Sequence, residues 1–255
     1  MSLESQQDWA GIRQIGEIVG RTLYLLRQFT RPGLSTKDLD TIALELLARH
    51  GARPAPRLAY GFPGAICISV NEEAAHGIPS PAKILKEGDL INIDISAELD
   101  GYFADNGASF VIGEAGPIKR RLVECSQSAL RKALNVVRAG ARINEVGRVV
   151  EREARQHGFR VITNLAGHGV GRAIHEAPHE ILCYYDKSVK SRFRKNTVVA
   201  VETFISSRAS YVVERKDGWT LATPDGSWVA QHEHTVIVTD GDPIIVTEAN
   251  RLWDY

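Results

Sequence analysis

The sequence predicts an α+β fold on three observations. Apolar residues recur at helical spacing through the first fifty residues and again in two stretches between 118 and 157. The run Leu90-Ile91-Asn92-Ile93-Asp94-Ile95-Ser96 alternates apolar and polar side chains and leads into Asp100-Gly101, the dipeptide favoured in a two-residue type I′ hairpin turn. In the last part, Lys216-Asp217-Gly218, Pro224-Asp225-Gly226 and Asp240-Gly241 separate runs such as Tyr211-Val212-Val213 and Val236-Ile237-Val238, which reads as an antiparallel meander.

Each element has its own signal. Ile12, Ile15, Val19, Leu23 and Leu26 form the stripe of a first helix that ends at Pro32-Gly33. Ser35 and Asp38 resemble a capping box, with Asp in place of the usual Glu or Gln, and Leu39, Ile42, Leu46 and Leu47 continue that second helix to Gly51. A strand over 66–70 follows, then a loop containing His76, then the hairpin of Asp94 and Asp105. Helices are expected over 118–138 and 144–157, and a short strand over 160–163. A faint repeat is visible as well. Ala48-Arg49-His50-Gly51-Ala52-Arg53 closes one helix much as Arg155-Gln156-His157-Gly158-Phe159-Arg160 closes another, and at nearly the same separation Asp94 corresponds to Glu202. Duplicated halves would bring their acids face to face at the middle, although chance also explains so short a match. No Pro/Ser-rich linker divides the halves, so one domain with a continuous core is expected over residues 1–255.

Composition narrows the function classes. A chain of 255 residues that is 44% hydrophobic has ample material for a buried core. Lysine plus arginine equals aspartate plus glutamate at 31 each, so no global field draws it to nucleic acid or to acidic lipid. The local basic run Lys187, Lys190, Arg192, Arg194 and Lys195 could touch ribosomal RNA, but is more commonly a solvated loop. Cys67, Cys125 and Cys183 are too few and too scattered for a disulfide framework or a cysteine-rich zinc site, which suits a reducing compartment. The opening Met1-Ser2-Leu3-Glu4-Ser5-Gln6 lacks the basic and apolar regions of a signal peptide, and no apolar run approaches a membrane span. The expected location is the cytoplasm, with no membrane partner.

The residues that could do chemistry are mostly acids. The type I′ turn sets Leu99 opposite Tyr102 and Ser96 opposite Asp105, which leaves Asp94 a diagonal neighbour of Asp105 with Cα atoms about 7–8 Å apart. Carboxylates so placed can share two cations about 3.5–4 Å apart, the separation of two-metal hydrolases. Two solvated acids on an edge hairpin are the plainer alternative. Glu202 lies within Val198-Val199-Ala200-Val201-Glu202-Thr203-Phe204, where an ionised acid needs a partner, either a metal ion or an arginine. In Gln231-His232-Glu233-His234 the two histidines face away from Glu233 if the strand is regular, so either the histidine pair or Glu233 could bind metal. The carboxylate-rich company favours Glu233. Gly167-His168-Gly169-Val170-Gly171-Arg172 lets backbone approach a ligand closely, yet lacks the Lys-Ser/Thr ending of a P-loop and the glycine spacing of a dinucleotide fingerprint. His175 and His76 lie in further Gly/Pro-rich loops.

Taken in order, Asn71…His76-Gly77-Ile78-Pro79, Asn92-Ile93-Asp94, Gly101-Tyr102…Asp105, Gly167-His168-Gly169-Val170-Gly171-Arg172…His175-Glu176…Pro178, Val201-Glu202 and Ala230-Gln231…Glu233-His234-Thr235 resemble type I methionine aminopeptidase over nearly the whole chain. The resemblance implies the pita-bread fold, a curved antiparallel sheet backed by helices with a pseudo-twofold repeat. It implies Asp94, Asp105, His168, Glu202 and Glu233 as ligands of two divalent ions, manganese, iron, cobalt or zinc, with Asp94 binding through both oxygens and Asp105 and Glu233 bridging. It further implies His76, His175 and Glu202 as catalytic residues, His76 and His175 also contacting substrate. The expected substrates are the N-termini of peptides and nascent proteins, from which the initiator methionine is removed, and the expected state is a monomer that could visit the ribosome. Ser2 is small, as in proteins that lose their own initiator methionine. The methionine pocket maps onto Ala59, Phe62, Cys67, Ile174 and Trp219, where the family often has aromatics at the first, second and fourth of these. Thr203 stands where the family usually has proline. An aminopeptidase with altered first-residue preference, a peptidase cutting before proline and a non-catalytic binding module on this fold are the alternatives. The last typically loses metal ligands, and those that cut before proline resemble longer chains.

Overall fold

The computed structural model describes residues 1–254. Helices α1 (Gln6–Phe29) and α2 (Thr36–Ala48) begin with the same device. Asp8 N donates to Ser5 Oγ at 3.1 Å while Ser5 N donates back to Asp8 Oδ2 at 3.0 Å, and Ser35 with Asp38 repeats the pair at 3.1 and 2.8 Å. The second box is the expected one; the first precedes the apolar stripe, where periodicity gives no signal. Next come β1 (Arg53–Pro54), α3 (Ala55–Tyr60), β2 (Cys67–Val70) and β3 (Glu73–Ala75). No periodicity marks α3, because six residues are too few to establish a helical period.

Strands β4 (Leu90–Leu99) and β5 (Tyr102–Val111) form the hairpin, with Asp100 at φ 52° and Gly101 at φ 79° as a type I′ turn requires. Its register sets Leu99 against Tyr102 and Ser96 against Asp105, as expected. Helices α4 (Pro117–Leu134) and α5 (Asn144–Gln156) follow. The first stops four residues short of the expected end. Val137 is buried in the connection after the helix, and Ala139 N bonds Thr239 O at 2.8 Å, so the apolar residues there serve that connection.

The remaining strands are β6 (Arg160–Val161), β7 (Ala166–Gly169), β8 (Glu176–Leu182), β9 (Val198–Ser206), β10 (Val213–Glu214), β11 (Leu221–Ala222), β12 (Val229–Ile237) and β13 (Ile244–Ile245). The main sheet runs β1-β4-β5-β12-β9-β7-β8, all antiparallel, with β2 on β4, β6 on β9 and β13 on β12. The strands do not form the expected meander. Strand β12 does not pair with β11 but crosses to lie between β5 and β9, while β10 and β11 form a small second sheet with β3. All nine residues of β12 are buried, which suits a central strand, whereas both residues of β10 are exposed. Turn residues mark where the chain reverses and say nothing about the partner it reverses onto.

Around the β5–β12 seam the molecule repeats itself. Helix α1 packs on β4 and β5 with α2 beside it, and α4 packs on β12 and β9 with α5 beside it. Gly51 at φ 73° and Gly158 at φ 78° end α2 and α5 in the left-handed conformation, so the short sequence match marks equivalent helix ends. A contiguous buried cluster joins helices and sheet. Cys67, Cys125 and Cys183 are free and buried. Among the described residues no helix is long and apolar enough to cross a membrane.

Candidate metal centre

Strand register brings the predicted acids to one face of the sheet at the seam. Glu202 and Glu233 are direct partners on β9 and β12, and Asp94 lies two residues beyond Ser96, which faces Asp105. On β7, His168 pairs with Ala200, two residues from Glu202 and therefore on the same face. Ligand-type atoms of Asp105, His168 and Glu233 lie within 4.8 Å of one another. The carboxyls of Asp94 and Asp105 lie close enough for each to shift the titration of the other. His232 and His234 point the other way, to Ser126 Oγ at 2.9 Å and Thr247 Oγ1 at 2.8 Å, so of the two alternatives it is Glu233 that meets the cluster.

Burial, then the neighbouring acids, raises the pKa of Asp94 and Glu233 well above the ordinary carboxylate range. Burial followed by Asp105 pushes Glu202 up to about 8, and burial raises Asp105 against the opposing influence of Asp94. Burial also lowers His168 and His76, and the desolvated inner edge of His175, with His168 beside it, brings that ring to about 4. The imidazoles are therefore neutral. Among the described residues no lysine or arginine forms an ion pair with Asp94, Asp105, Glu202 or Glu233, which removes the arginine alternative for Glu202. Glu233 Oε1 is buried with no hydrogen-bond partner. His168 donates Nδ1–H to Gly169 O at 3.0 Å and turns the lone pair of Nε2 toward Asp105 Oδ2, 3.8 Å away. Oxygen donors starved of positive charge, an orphaned carboxylate oxygen and a pre-set imidazole lone pair fit a divalent cation.

Sequence reasoning assigned no role to the group that orders these acids. Asn92 Nδ2 donates to Gln231 Oε1 at 2.7 Å, which turns Gln231 Nε2 to Glu233 Oε2 at 3.0 Å and Glu202 Oε2 at 3.2 Å. Both residues stood within the quoted motifs, but their pairing is 139 positions apart in the chain.

The acids floor a cavity of about 610 Å³. Phe62, Cys67, Ile174 and Trp219 line it with His76 and His175, and Phe62 meets Trp219 edge-on at a centroid distance of 5.2 Å. Ala59 is the exception: it is exposed and absent from the wall, and its neighbour Tyr60 lines the cavity instead. The turn of α3 decides this, and α3 was not legible. Thr163, Asn164, His179 and Glu180 form a polar lobe that the sequence did not point to. His76 holds φ 54°, a left-handed backbone that is uncommon for a side chain other than glycine. Thr203 faces away from the cavity and bonds Ser126 Oγ at 2.8 Å, so this departure from the family pattern sits in the helix interface. The basic run is exposed apart from partly buried Val189 and buried Phe193, with Arg192 donating to Gly140 O and Lys195 paired with Asp240.

The model of metallopeptidase family M24 matches residues 10–240. The chain is 50% identical to methionine aminopeptidase 2 of Bacillus subtilis strain 168 over 97% of its own length and 100% of that protein. It is 42% identical to a methionine aminopeptidase of Staphylococcus epidermidis, covering 97% and 99% of the two chains. The crystal structure of methionine aminopeptidase from Thermotoga maritima superposes with a TM-score of 0.93 at 32% identity, covering 97% and 99%. The architecture is accordingly the pita-bread fold.

Proposed function

Because this chain belongs to metallopeptidase family M24, we propose that it removes the N-terminal methionine from peptides and nascent proteins in the cytoplasm, acting as a single-domain monomer that needs no nucleic acid. The observation that carries this reading is the convergence of four acids and one imidazole from five strands with no cationic side chain to balance them. Asp94, Asp105, His168, Glu202 and Glu233 would hold two divalent ions, and the oxygen and nitrogen donors suit manganese, iron, cobalt or zinc. Ions bound there supply a nucleophile at neutral pH by acidifying water, and they polarise the scissile carbonyl.

The side chains do the rest. Phe62, Cys67, Ile174 and Trp219 receive the first side chain, and the acids attract its free α-ammonium group, which restricts cleavage to the first residue. Glu202 accepts a proton from the attacking water on a carboxylate oxygen and returns it to the leaving amine. His175 donates to the carbonyl oxygen as its charge grows, and His76 contacts the leaving amide nitrogen.

The test is release of the first residue from Met-Ala, Leu-Ala and Ala-Pro peptides after reconstitution with individual metals, with Glu202→Gln as control. Metal-dependent cleavage of the methionine peptide is expected. Turnover of another peptide in its place would overturn the substrate, and equal activity in Glu202→Gln would overturn the proton role.

A further inference from the structure

We propose that Tyr60 is a positioning residue of this site: its hydroxyl donates to His175 Nδ1 and holds that imidazole in the tautomer carrying its proton on Nε2. The two groups meet at 2.5 Å across 115 positions of sequence. A neutral imidazole has one bare nitrogen and one N–H, and the hydrogen bond made by one nitrogen decides the state of the other. A phenol is the stronger donor of this pair and an unprotonated imidazole nitrogen the stronger acceptor, so the contact leaves the proton on Nε2. That is the form able to donate to a substrate oxygen. This step rests on the role given to His175 above.

The packing on either side supports a positioning role. The His175 ring lies between Tyr60, at a centroid distance of 5.7 Å, and His168, at 4.1 Å, so one neighbour is a candidate metal ligand and the other Tyr60. Tyr60 is 51% exposed, and its hydroxyl reaches His175 from the half of the residue that faces the cavity. It nevertheless has a fixed origin. It ends α3, and the segment after it is pinned from two directions: Arg57 Nε donates to Gly64 O at 2.9 Å, and Asp40 Oδ1 on α2 accepts from Ala65 N at 2.6 Å and Ile66 N at 3.1 Å. A hydrogen-bonded loop thus presents a single hydroxyl to a ring that lines the cavity. Without it, neither the tautomer nor the ring flip of His175 is specified from that side.

Nitrogen-15 NMR of histidine-labelled, zinc-loaded protein at a pH where His175 is neutral reads the tautomer directly, with His175→Ala identifying the resonances. The expected result is an unprotonated, hydrogen-bonded Nδ1 and a protonated Nε2, changing to a mixture in Tyr60→Phe. In the same variant kcat on a Met-Ala peptide should fall roughly three- to tenfold, the worth of one hydrogen bond, with KM held within about twofold. Tyr60→Phe should cost nothing further in a His175→Ala background. A protonated Nδ1 in the unsubstituted protein, an unchanged kcat in Tyr60→Phe, or full additivity of the two substitutions would overturn the proposal. Unchanged turnover in His175→Ala would instead overturn the role of His175, while the nitrogen resonances still decide the hydrogen bond on their own.

Discussion

At the scale of single residues, the cluster is built from side chains that are unremarkable until strands meet. Asp94 and Asp105 stood out through the hairpin register, Glu202 as an acid inside an apolar strand, where only a bound cation or an ion pair makes it tolerable, and Glu233 through the carboxylates in its company. Gln231 was not legible in its role, since an amide gives no such contradiction. Its place depends on Gly107, where a Cβ would stand 2.2 Å from Gln231 Oε1 and 2.5 Å from Nε2. Gly107→Ala should therefore displace the amide, leave the fold standing because only a side chain must move, and weaken divalent-ion binding about tenfold, as loss of an outer partner does. Isothermal titration with manganese reads this; unaltered affinity would show that Gln231 is not a support of the site. Glu202→Gln should lower kcat by about 10²–10⁴ if the carboxylate moves the proton.

At the scale of elements, local chemistry carried much of the reading and missed what was short. The Ser35 capping box and the Asp100-Gly101 turn were legible because each is a pattern of neighbours. Helix α3 was not, and with it went the choice between Ala59 and Tyr60 for the cavity wall. That segment is held by Asp40, which is fully buried and accepts two backbone N–H groups. Asp40→Ala leaves both donors without a partner, which should cost about 2–4 kcal/mol in urea unfolding. Because α3 carries Tyr60, kcat should fall in the folded variant as well. A loss of stability with full activity would separate the two roles of the loop.

At the scale of the whole molecule, the buried acids tie stability to pH and metal. In the metal-free protein, Asp94, Asp105, Glu202 and Glu233 have raised pKa values, Glu202 about 8, so the folded state keeps protons that the unfolded chain releases. Their contribution is present at low pH and is lost as pH rises above the ordinary carboxylate range and through the raised folded values, about 8 for Glu202. His232 and His234 act oppositely: burial lowers both to about 3 from the ordinary 6.5, so their contribution is lost as pH falls below 6.5. Thermal melts in chelator should decline as pH rises from about 6.5 toward 8, where no buried histidine offsets the acids, and manganese should abolish that decline by taking the place of the protons. A melting temperature in chelator that is flat across that upper range would contradict the account. Sequence alone determined the α+β class and the hairpin with its register, because these follow from periodicity and turn chemistry between residues close in the chain. Tertiary structure alone decided that β12 enters between β5 and β9, that Gln231 spans Glu202 and Glu233, and that Tyr60 rather than Ala59 reaches the cavity. Those outcomes are contacts between segments far apart in sequence, and burial across the assembled sheet selects them.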